Sequence, residues 1–199
     1  MPALYLLVKM SVEKRSIMKK ALLIVDMQND FVTGTLGNKE CQQVVAEVVD
    51  ILENSDDYTR IYITQDTHDS IKYMHSQEGR KLPVMHCDPM EGDGWNIVPD
   101  IKEKLDGMST IKMYFNKNTF ASIQLAQTVA KDYENDVFEE LDIVGVCTGI
   151  CVISNATIIK AYSTELPINI IERATACVTP ESKKTAIDAM KLLQMNIVE

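Results

Sequence analysis

The sequence predicts an α/β fold built around a mostly parallel sheet. From Lys20 onward, short apolar runs alternate with longer segments whose apolar residues follow helical spacing. This alternation is typical of repeated β-α-β units, and strands buried on both faces of a sheet read as continuous apolar runs. A chain of 199 residues with 46% hydrophobic content can also bury one substantial core, so we expect a single domain.

Six segments have the length and composition of strands in such a sheet. Each is a short apolar run bounded by polar or turn-forming residues. They cover residues 21–25, 60–64, 111–115, 141–146, 169–171 and 196–198. We therefore expect six strands, mostly parallel to one another.

The segments between these strands read as crossover helices. Apolar residues recur at helical spacing within residues 42–52 and 123–129. Thr179 reads as the N-cap of a last helix, and Pro180 as its first residue. The apolar stripe of that helix consists of Ala186, Ala189, Met190 and Leu193. The longest irregular stretch is residues 67–98, and loops of that length in compact domains are usually functional.

Composition limits the partners and the compartment. A formal charge of −9 disfavours nucleic acids and anionic membranes, which require clustered Lys and Arg, and favours a small neutral ligand. No apolar run approaches the roughly 20 residues of a membrane span. The five cysteines are odd in number and form no CxxC pair, which indicates free thiols in a reducing cytoplasm.

Residues 1–17 are expected to be an N-terminal extension that precedes a single domain at residues 18–199. The apolar run in this segment is too short for a signal peptide, and no small-residue cleavage site follows it. We therefore expect a cytoplasmic protein without a secretory leader.

Reactive side chains stand at the ends of four of the predicted strands. In chain order they are Asp26, then Asp66 with His68, then Lys117, and finally Cys151. Ligands of open α/β sheets bind outside the carboxyl ends of the strands. We therefore expect these groups to converge on one site.

Cys151 is the candidate nucleophile. Residues 152–162 have helical character, so Cys151 falls at a first turn, where unpaired N–H groups and the helix dipole can lower a thiol pKa to about 3.5–7.5. The N–H groups of residues 148–151 could also face a carbonyl oxygen, as in an oxyanion hole. The alternative is a small buried cysteine without a chemical role.

Asp26 and Lys117 are the candidate partners of that thiol. A partly desolvated carboxylate has a raised pKa and can accept the thiol proton. Alternatively Asp26 caps the following turn, a role for which Asp30 is better placed. Lys117 could balance both anions, although in isolation it reads as a surface lysine.

A second group of residues predicts a metal site. The three histidines of the chain, His68, His75 and His86, lie within a short stretch. Asp66 and His68 can chelate a divalent ion from one strand end, with His86 as the third ligand and Glu78 as the fourth. His75 is the last-ranked candidate ligand. The alternative to a metal site is a loop that is merely rich in polar residues.

Three aromatic residues could contact a flat substrate ring. They are Phe31, Trp95 and Phe120, and each is equally explicable as part of the core. Phe31 is the one close in sequence to a candidate catalytic group, so we assign it to substrate binding.

Four motifs, taken in order, resemble those of the isochorismatase-like cysteine hydrolases, in particular their nicotinamidase branch. The motifs are ALLIVDMQNDF, QDTH continued by LPVMHC, KNTFAS and VGVCTGICV. The resemblance covers nearly everything from about Met18 to the end. It implies a three-layer α/β/α fold around a six-stranded parallel sheet.

The same resemblance implies roles for the site residues. Asp26, Lys117 and Cys151 match the catalytic triad of that family. A cis peptide is implied before Cys147, whose backbone amide would share the oxyanion with that of Cys151. Phe31 matches an aromatic residue that packs on the substrate ring.

The resemblance also implies a bound metal. Members that hold zinc or a related ion use an Asp-x-His pair and a later His, which match Asp66, His68 and His86, and Glu78 matches a glutamate that completes the set in some members. The spacing between the two histidines resembles a bacterial branch whose substrates are often unassigned. Cys151 argues against isochorismate as the substrate.

The expected function is hydrolysis of a small amide, with nicotinamide giving nicotinate and ammonia through a thioester. One alternative is a related hydrolase of another carbamoyl or ureido amide. A second is a non-catalytic metal- or ligand-binding module. We also expect a homo-oligomer, since closed symmetry is the usual state of small α/β enzymes.

Overall fold

The structure is a computed structural model that describes residues 18–54 and 58–199. The predicted N-terminal extension, residues 1–17, lies outside the described residues. Strands and helices alternate along the chain from β1 onward, as the sequence predicts.

The described part of the chain forms one six-stranded sheet. Its strands are β1 (Lys20–Val25), β2 (Tyr58–Asp66), β3 (Ile111–Lys117), β4 (Glu140–Val146), β5 (Ile168–Ala176) and β6 (Asn196–Val198). Their order across the sheet is β3-β2-β1-β4-β5-β6, and every neighbouring pair is parallel. All six predicted strands are therefore confirmed, and several extend beyond the predicted bounds because their outer residues are polar.

Eight α-helices connect the strands of the described part. They are α1 (Asn29–Val32), α2 (Lys39–Glu53), α3 (Ser70–His75), α4 (Gln77–Lys81), α5 (Pro99–Gly107), α6 (Ile123–Glu134), α7 (Ile153–Tyr162) and α8 (Pro180–Leu192). A π-helical turn, Thr148–Val152, precedes α7. A helix with the length and apolar character needed to cross a bilayer is absent from the residues described.

Two apolar clusters cover the two faces of the sheet. On one face Leu22 and Ile24 of β1 pack with residues of α2 and α5, among them Val48 and Ile101. On the other face Leu23 packs with residues of α6, α7 and α8. Alternate β1 side chains point to opposite faces, so a strand buried on both sides must be apolar throughout. The result is the three-layer α/β/α fold that the resemblance implies.

The start of α8 confirms one local prediction and its end corrects another. Thr179 accepts a hydrogen bond from the Ser182 N–H and forms a capping box, with Pro180 as the first helical residue. Leu193, however, follows the helix and is 42% exposed. The predicted stripe is wrong there because the helix ends at Leu192, and Ile187 is a further buried residue of α8.

The stretch between β2 and α5 is less irregular than predicted. It contains α3 and α4, whose N-caps Asp69 and Ser76 accept hydrogen bonds from the N–H groups of Lys72 and Gly79. These helices have six and five residues, too few to show an apolar periodicity. These two helices are stabilised by their side-chain N-caps.

The order of the strands locates the functional crevice. From β1 the chain moves outward through β2 to β3, and it then returns to β4 on the other side of β1. The connections therefore diverge at β1 and β4, which leaves a crevice at the carboxyl ends of these strands.

Candidate active site

Asp26 lies at the carboxyl end of β1 and is completely buried. Its backbone has a φ of 50°, in the left-handed region, where Asp is among the more tolerant residues. Its N–H donates to the Thr64 carbonyl at 3.2 Å, and the Thr64 hydroxyl donates to Asp26 Oδ1 at 2.6 Å. Thr64 therefore fixes one carboxylate oxygen of Asp26, and the other remains for Lys117.

Lys117 is the last residue of β3, and its ammonium joins the groups at the four strand ends. Lys117 Nζ lies 2.7 Å from Asp26 Oδ2, 3.5 Å from Asp66 Oδ1 and 3.6 Å from Cys151 Sγ. The side chain is almost fully buried. The structure therefore places Asp26, Lys117 and Cys151 together, and the interpretation of Lys117 as a surface lysine is wrong.

Burial and charge shift the pKa values of Asp26 and Lys117. Desolvation raises the pKa of Asp26 above its ordinary value, and the Asp66 carboxylate adds to this against the opposing effect of Lys117. Burial alone would lower the pKa of Lys117, but the charges of Asp26, Cys151 and Asp66 outweigh it and the pKa rises. A charged ammonium therefore stands beside a carboxylate that accepts protons more readily than usual.

Cys151 lies within the π-helical turn that precedes α7 and is 7% exposed. Desolvation raises the pKa of its thiol well above the ordinary value, Asp26 raises it further, and Lys117 opposes the shift. The expectation of a thiol pKa lowered by a helix N-terminus is therefore wrong, because burial and the neighbouring carboxylate dominate. A thiol with a raised pKa needs a nearby base to act as a nucleophile, and the Asp26 carboxylate lies close enough to Cys151 to shift its pKa.

The turn that joins β4 to Cys151 begins with a cis peptide bond between Val146 and Cys147, as the resemblance implies. The N–H groups of Ile150 and Val152 both donate to the Cys147 carbonyl, at 3.0 and 3.1 Å. Ile150 is therefore not a free oxyanion donor, which corrects the broader expectation for residues 148–151. The candidates that remain from the resemblance are the amides of Cys147 and Cys151.

The predicted metal ligands Asp66, His68 and His86 form a compact buried group. Their ligand atoms all lie within 4.8 Å of one another. The Nε2 atoms of His68 and His86 lie 3.0 and 3.5 Å from Asp66 Oδ2. Two imidazoles and a carboxylate at these distances are a common ligand set for a divalent ion such as zinc.

The surroundings of this group fit a bound metal. His86 Nδ1–H donates to the Val84 carbonyl at 2.8 Å, which orients the ring so that Nε2 is directed toward Asp66. Burial would raise the pKa of Asp66, but its bonds to His68 and His86 and the charge of Lys117 hold it well below the ordinary value. Asp66 is therefore an anion, as a metal ligand must be.

The remaining predicted ligands lie outside this group. Glu78 is half-buried in the first turn of α4, on the wall of the same cavity as Asp66. It does not belong to the ligand cluster found among the described residues. His75 ends α3 and is exposed, in agreement with its last rank.

A cavity of about 1210 Å³ opens over Cys151 and the predicted metal ligands, whereas Asp26 and Lys117 are not among its lining residues. Phe31, Phe120 and Cys151 are on its wall. The centroids of the Phe31 and His86 rings lie 5.6 Å apart in an edge-to-face contact, so Phe31 lies beside the predicted metal ligands. Trp95 is not among the lining residues, and its indole N–H donates to the Thr67 hydroxyl.

Comparison with protein families identifies the group to which the chain belongs. The isochorismatase domain matches residues 20–199, which is nearly the whole chain. The chain belongs to the isochorismatase family. The expectation of a hydrolase related to the nicotinamidases is therefore confirmed.

Individual members of the isochorismatase family agree with this assignment. An uncharacterised isochorismatase family protein, PncA of Bacillus subtilis, is 27% identical over 178 residues, which cover 85% of this chain and 93% of PncA. The crystal structure of nicotinamidase/pyrazinamidase PncA from Bacillus subtilis has a TM-score of 0.74 and 25% identity, and the match covers 92% of this chain and 100% of that one. The pyrazinamidase of Pyrococcus horikoshii in complex with zinc has a TM-score of 0.71 and 22% identity, with 91% and 99% covered.

Two buried amides of this isochorismatase-family site were not assigned a function from the sequence. Gln28 Oε1 accepts from the Asp66 N–H at 2.7 Å, and its Nε2 donates to the carbonyls of Asp66 and Trp95. Asn155 Nδ2 donates to the Cys151 carbonyl at 2.8 Å, and its Oδ1 accepts from the Ser122 N–H. Each amide holds the backbone of a site residue. The signal available for Gln28 is its position in the motif two residues after Asp26.

Proposed function

We propose that this chain hydrolyses a small primary amide to a carboxylic acid and ammonia through a thioester on Cys151, with nicotinamide as the substrate. The observation that carries the proposal is the position of Lys117 Nζ between Asp26 Oδ2 and Cys151 Sγ, at 2.7 and 3.6 Å. An ammonium between a base and a thiol stabilises the anion on either of them. Proton transfer between the two buried side chains can therefore occur.

The first half of the reaction forms the thioester. Asp26 accepts the Cys151 proton, and the sulfur attacks the amide carbonyl carbon. The backbone amides of Cys147 and Cys151 stabilise the oxyanion. Asp26 then returns its proton to the nitrogen, the C–N bond breaks and ammonia leaves.

The second half releases the acid. Asp26, again ionised, accepts a proton from water as the water oxygen attacks the thioester carbon. The C–S bond breaks, and the proton returns to the Cys151 sulfur. One difficult displacement is thus divided into two easier ones. The net reaction consumes one amide and one water.

Asp66, His68 and His86 would hold a divalent ion, which we propose is zinc. When bound, the ion would supply a Lewis acid that attracts a lone pair of the substrate. Phe31, beside His86, would pack on a flat ring. Nicotinamide carries a ring nitrogen at one end and a carboxamide at the other. The nitrogen would face the ion and the carboxamide would face Cys151, which favours nicotinamide as the substrate.

The surroundings of the reaction are also part of the proposal. We propose that the chain acts in the cytoplasm as a homo-oligomer and that its partner is a small amide, with neither nucleic acid nor membrane. The acidic net charge of −9 supports this choice of partner, and the five free thiols support the compartment.

Ammonia release from nicotinamide, pyrazinamide and a panel of small carbamoyl and ureido amides tests the proposal. The wild type is expected to release ammonia from nicotinamide, and Cys151→Ala is expected to retain only a trace. Rapid quenching and intact-mass measurement should show one nicotinoyl group on wild-type Cys151. Turnover of another amide in place of nicotinamide would refute the substrate, and turnover by Cys151→Ala would refute the nucleophile.

A further inference from the structure

Three thiols beside the proposed oxyanion turn have no part in the proposed mechanism. They belong to Cys41 in α2, Cys147 after β4 and Cys177 after β5. The Cys147 side chain interacts with the side chains of both Cys41 and Cys177, and it also lines the substrate cavity. A thiol that reaches the cavity is therefore in contact with two buried thiols behind it.

The register of the sheet places Cys147 next to Cys177. Val146 of β4 pairs with Ala176 of β5, and these two residues end their strands. The next residue on each strand is a cysteine. Neighbouring strands lie about 4.8 Å apart, and disulfides join Cα atoms about 4.4–6.8 Å apart. The spacing of the two strand ends that lead into Cys147 and Cys177 therefore falls within the range of disulfides.

Cys177 has the environment of a thiolate. Its sulfur interacts with the Cys147 thiol, the Ser182 side chain and the backbone N–H groups of Gly149 and Val178. The interaction with Cys147 is the largest of the causes that lower the pKa of Cys177 to about 5. Thiolate, rather than thiol, is the form that attacks an oxidant.

The neighbouring glycine is fitted closely to this sulfur. A Cβ at Gly149 would lie 3.2 Å from Cys177 Sγ. Gly149 belongs to the π-helical turn that carries Cys151. Cys177 therefore lies directly beneath the turn that presents the proposed nucleophile.

We propose that Cys147 and Cys177 form a peroxide-sensitive thiol pair whose closure to a disulfide lowers hydrolysis. In the first step the Cys177 thiolate attacks hydrogen peroxide, an S–O bond forms, the O–O bond breaks, and the hydroxide released takes up a proton as water. In the second step the Cys147 sulfur displaces hydroxide from the Cys177 sulfenic acid, and its proton leaves with that hydroxide as water. Two thiols and one peroxide give one disulfide and two waters.

The disulfide would act through the position of Cys147. The bond ties the Cys147 side chain to the end of β5, whereas in the reduced protein it contacts Cys41 as well. Cys147 forms part of the cavity wall, and its backbone amide is a proposed oxyanion donor. A shift of about 1 Å in such a group can lower turnover by about 10²-fold. This effect on turnover rests on the proposed function, whereas the formation of the bond does not.

Peptide mapping of the full chain tests the bond itself. Cys151→Ala protein is treated with hydrogen peroxide, alkylated and digested without reductant, so that the proposed nucleophile cannot contribute. We expect one cross-linked pair that contains Cys147 and Cys177 and that dithiothreitol releases. Absence of any disulfide, or a Cys41–Cys147 cross-link, would overturn the proposal. This readout needs no catalytic activity, so it is independent of the substrate.

Two serine variants test the consequence for turnover. Wild type, Cys177→Ser and the matched control Cys41→Ser are treated with peroxide, and amide hydrolysis is measured before and after reduction. Wild type and Cys41→Ser should lose up to about 10²-fold of their turnover and recover it with dithiothreitol. Cys177→Ser should show no loss that reductant reverses. Full turnover in wild-type protein that mass spectrometry shows to be disulfide-bonded would overturn the regulatory part.

Discussion

The Lys117 ammonium lies 2.7 Å from the Asp26 carboxylate, and both side chains are almost completely excluded from solvent. Their strands are not neighbours, because β2 separates β1 from β3 in the sheet. The pair therefore crosses the carboxyl end of β2 and meets Asp66 there, 3.5 Å from Lys117. One cation thus stands between the proposed base and the proposed metal ligands, so we expect changes to this ion pair to affect both turnover and stability.

Replacing Asp26 with Asn should lower kcat by about 10²–10⁴-fold, because the amide cannot accept the Cys151 proton. Steady-state ammonia release measures the loss. Asp142→Asn is the matched control, since Asp142 is a buried aspartate of β4 that hydrogen-bonds Tyr58 and Asn169 away from the site. Asp142→Asn should retain turnover in the folded protein, and equal loss in both variants would contradict the role of Asp26.

Replacing Lys117 with Met should destabilise the fold, because removal of one partner leaves a buried charge uncompensated at a cost of about 3–5 kcal/mol. Urea unfolding of Lys117→Met, Asp26→Asn and the double variant measures the coupling. The double variant should be less destabilised than the sum of the two single variants, because the charge left by one change is removed by the other. Strict additivity would show that the 2.7 Å pair contributes nothing specific.

The acid limb of kcat/KM should lie above the ordinary carboxyl pKa of 3.8, because burial raises the pKa of Asp26. Asp26 must be ionised to accept the thiol proton, so activity falls as the pH drops through the raised value. The limb belongs to the coupled group of Asp26, Lys117 and Cys151. A pH profile of the wild type from mildly alkaline to acid conditions checks this, and a limb at 3.8 would contradict it.

Much of this arrangement could be predicted because its signals are local. A strand covered on both faces must be apolar, so β1 and β4 can be recognised as continuous apolar segments of the sequence. Asp26 directly follows its run, Lys117 and Cys151 come two and five residues after theirs, and the carboxyl ends of parallel strands meet at one edge. Asp26, Lys117 and Cys151 could therefore be grouped before any coordinates were known.

The remaining features depend on contacts that are distant in sequence. The raised pKa of Cys151 follows from burial beside Asp26, which a helix-terminus argument ignores. Glu78 is a candidate fourth ligand that the family resemblance also implies, and in the structure it lies in α4, outside the ligand cluster. The adjacency of Cys147 and Cys177 needs the register of β4 and β5, which a single strand does not encode.

Zinc content should distinguish His86 from His75. His86→Ala removes a buried imidazole from the proposed ligand group, and the purified variant should hold far less than one zinc per chain after dialysis. His75→Ala removes an exposed imidazole at the end of α3 and should bind zinc as the wild type does. Elemental analysis and zinc titration of the apoprotein give the comparison. Equal zinc content in the two variants would exclude His86 as a ligand.

Replacing Gln28 with Met should weaken the metal site without touching a ligand. The thioether keeps the volume of the side chain but loses the bonds to the Asp66 N–H and carbonyl and to the Trp95 carbonyl. An unsatisfied buried polar group costs about 1–3 kcal/mol, so urea unfolding should show a loss of that size. Because Gln28 no longer holds the Asp66 backbone, zinc affinity should fall by about 10–100-fold, as when other supports of a metal ligand are removed.

Gln65→Met is the matched control, since Gln65 also donates to the Trp95 carbonyl but does not hydrogen-bond Asp66. If both variants lose stability and only Gln28→Met loses zinc affinity, Gln28 acts by positioning Asp66; equal zinc affinity in the two variants would reduce it to a packing role.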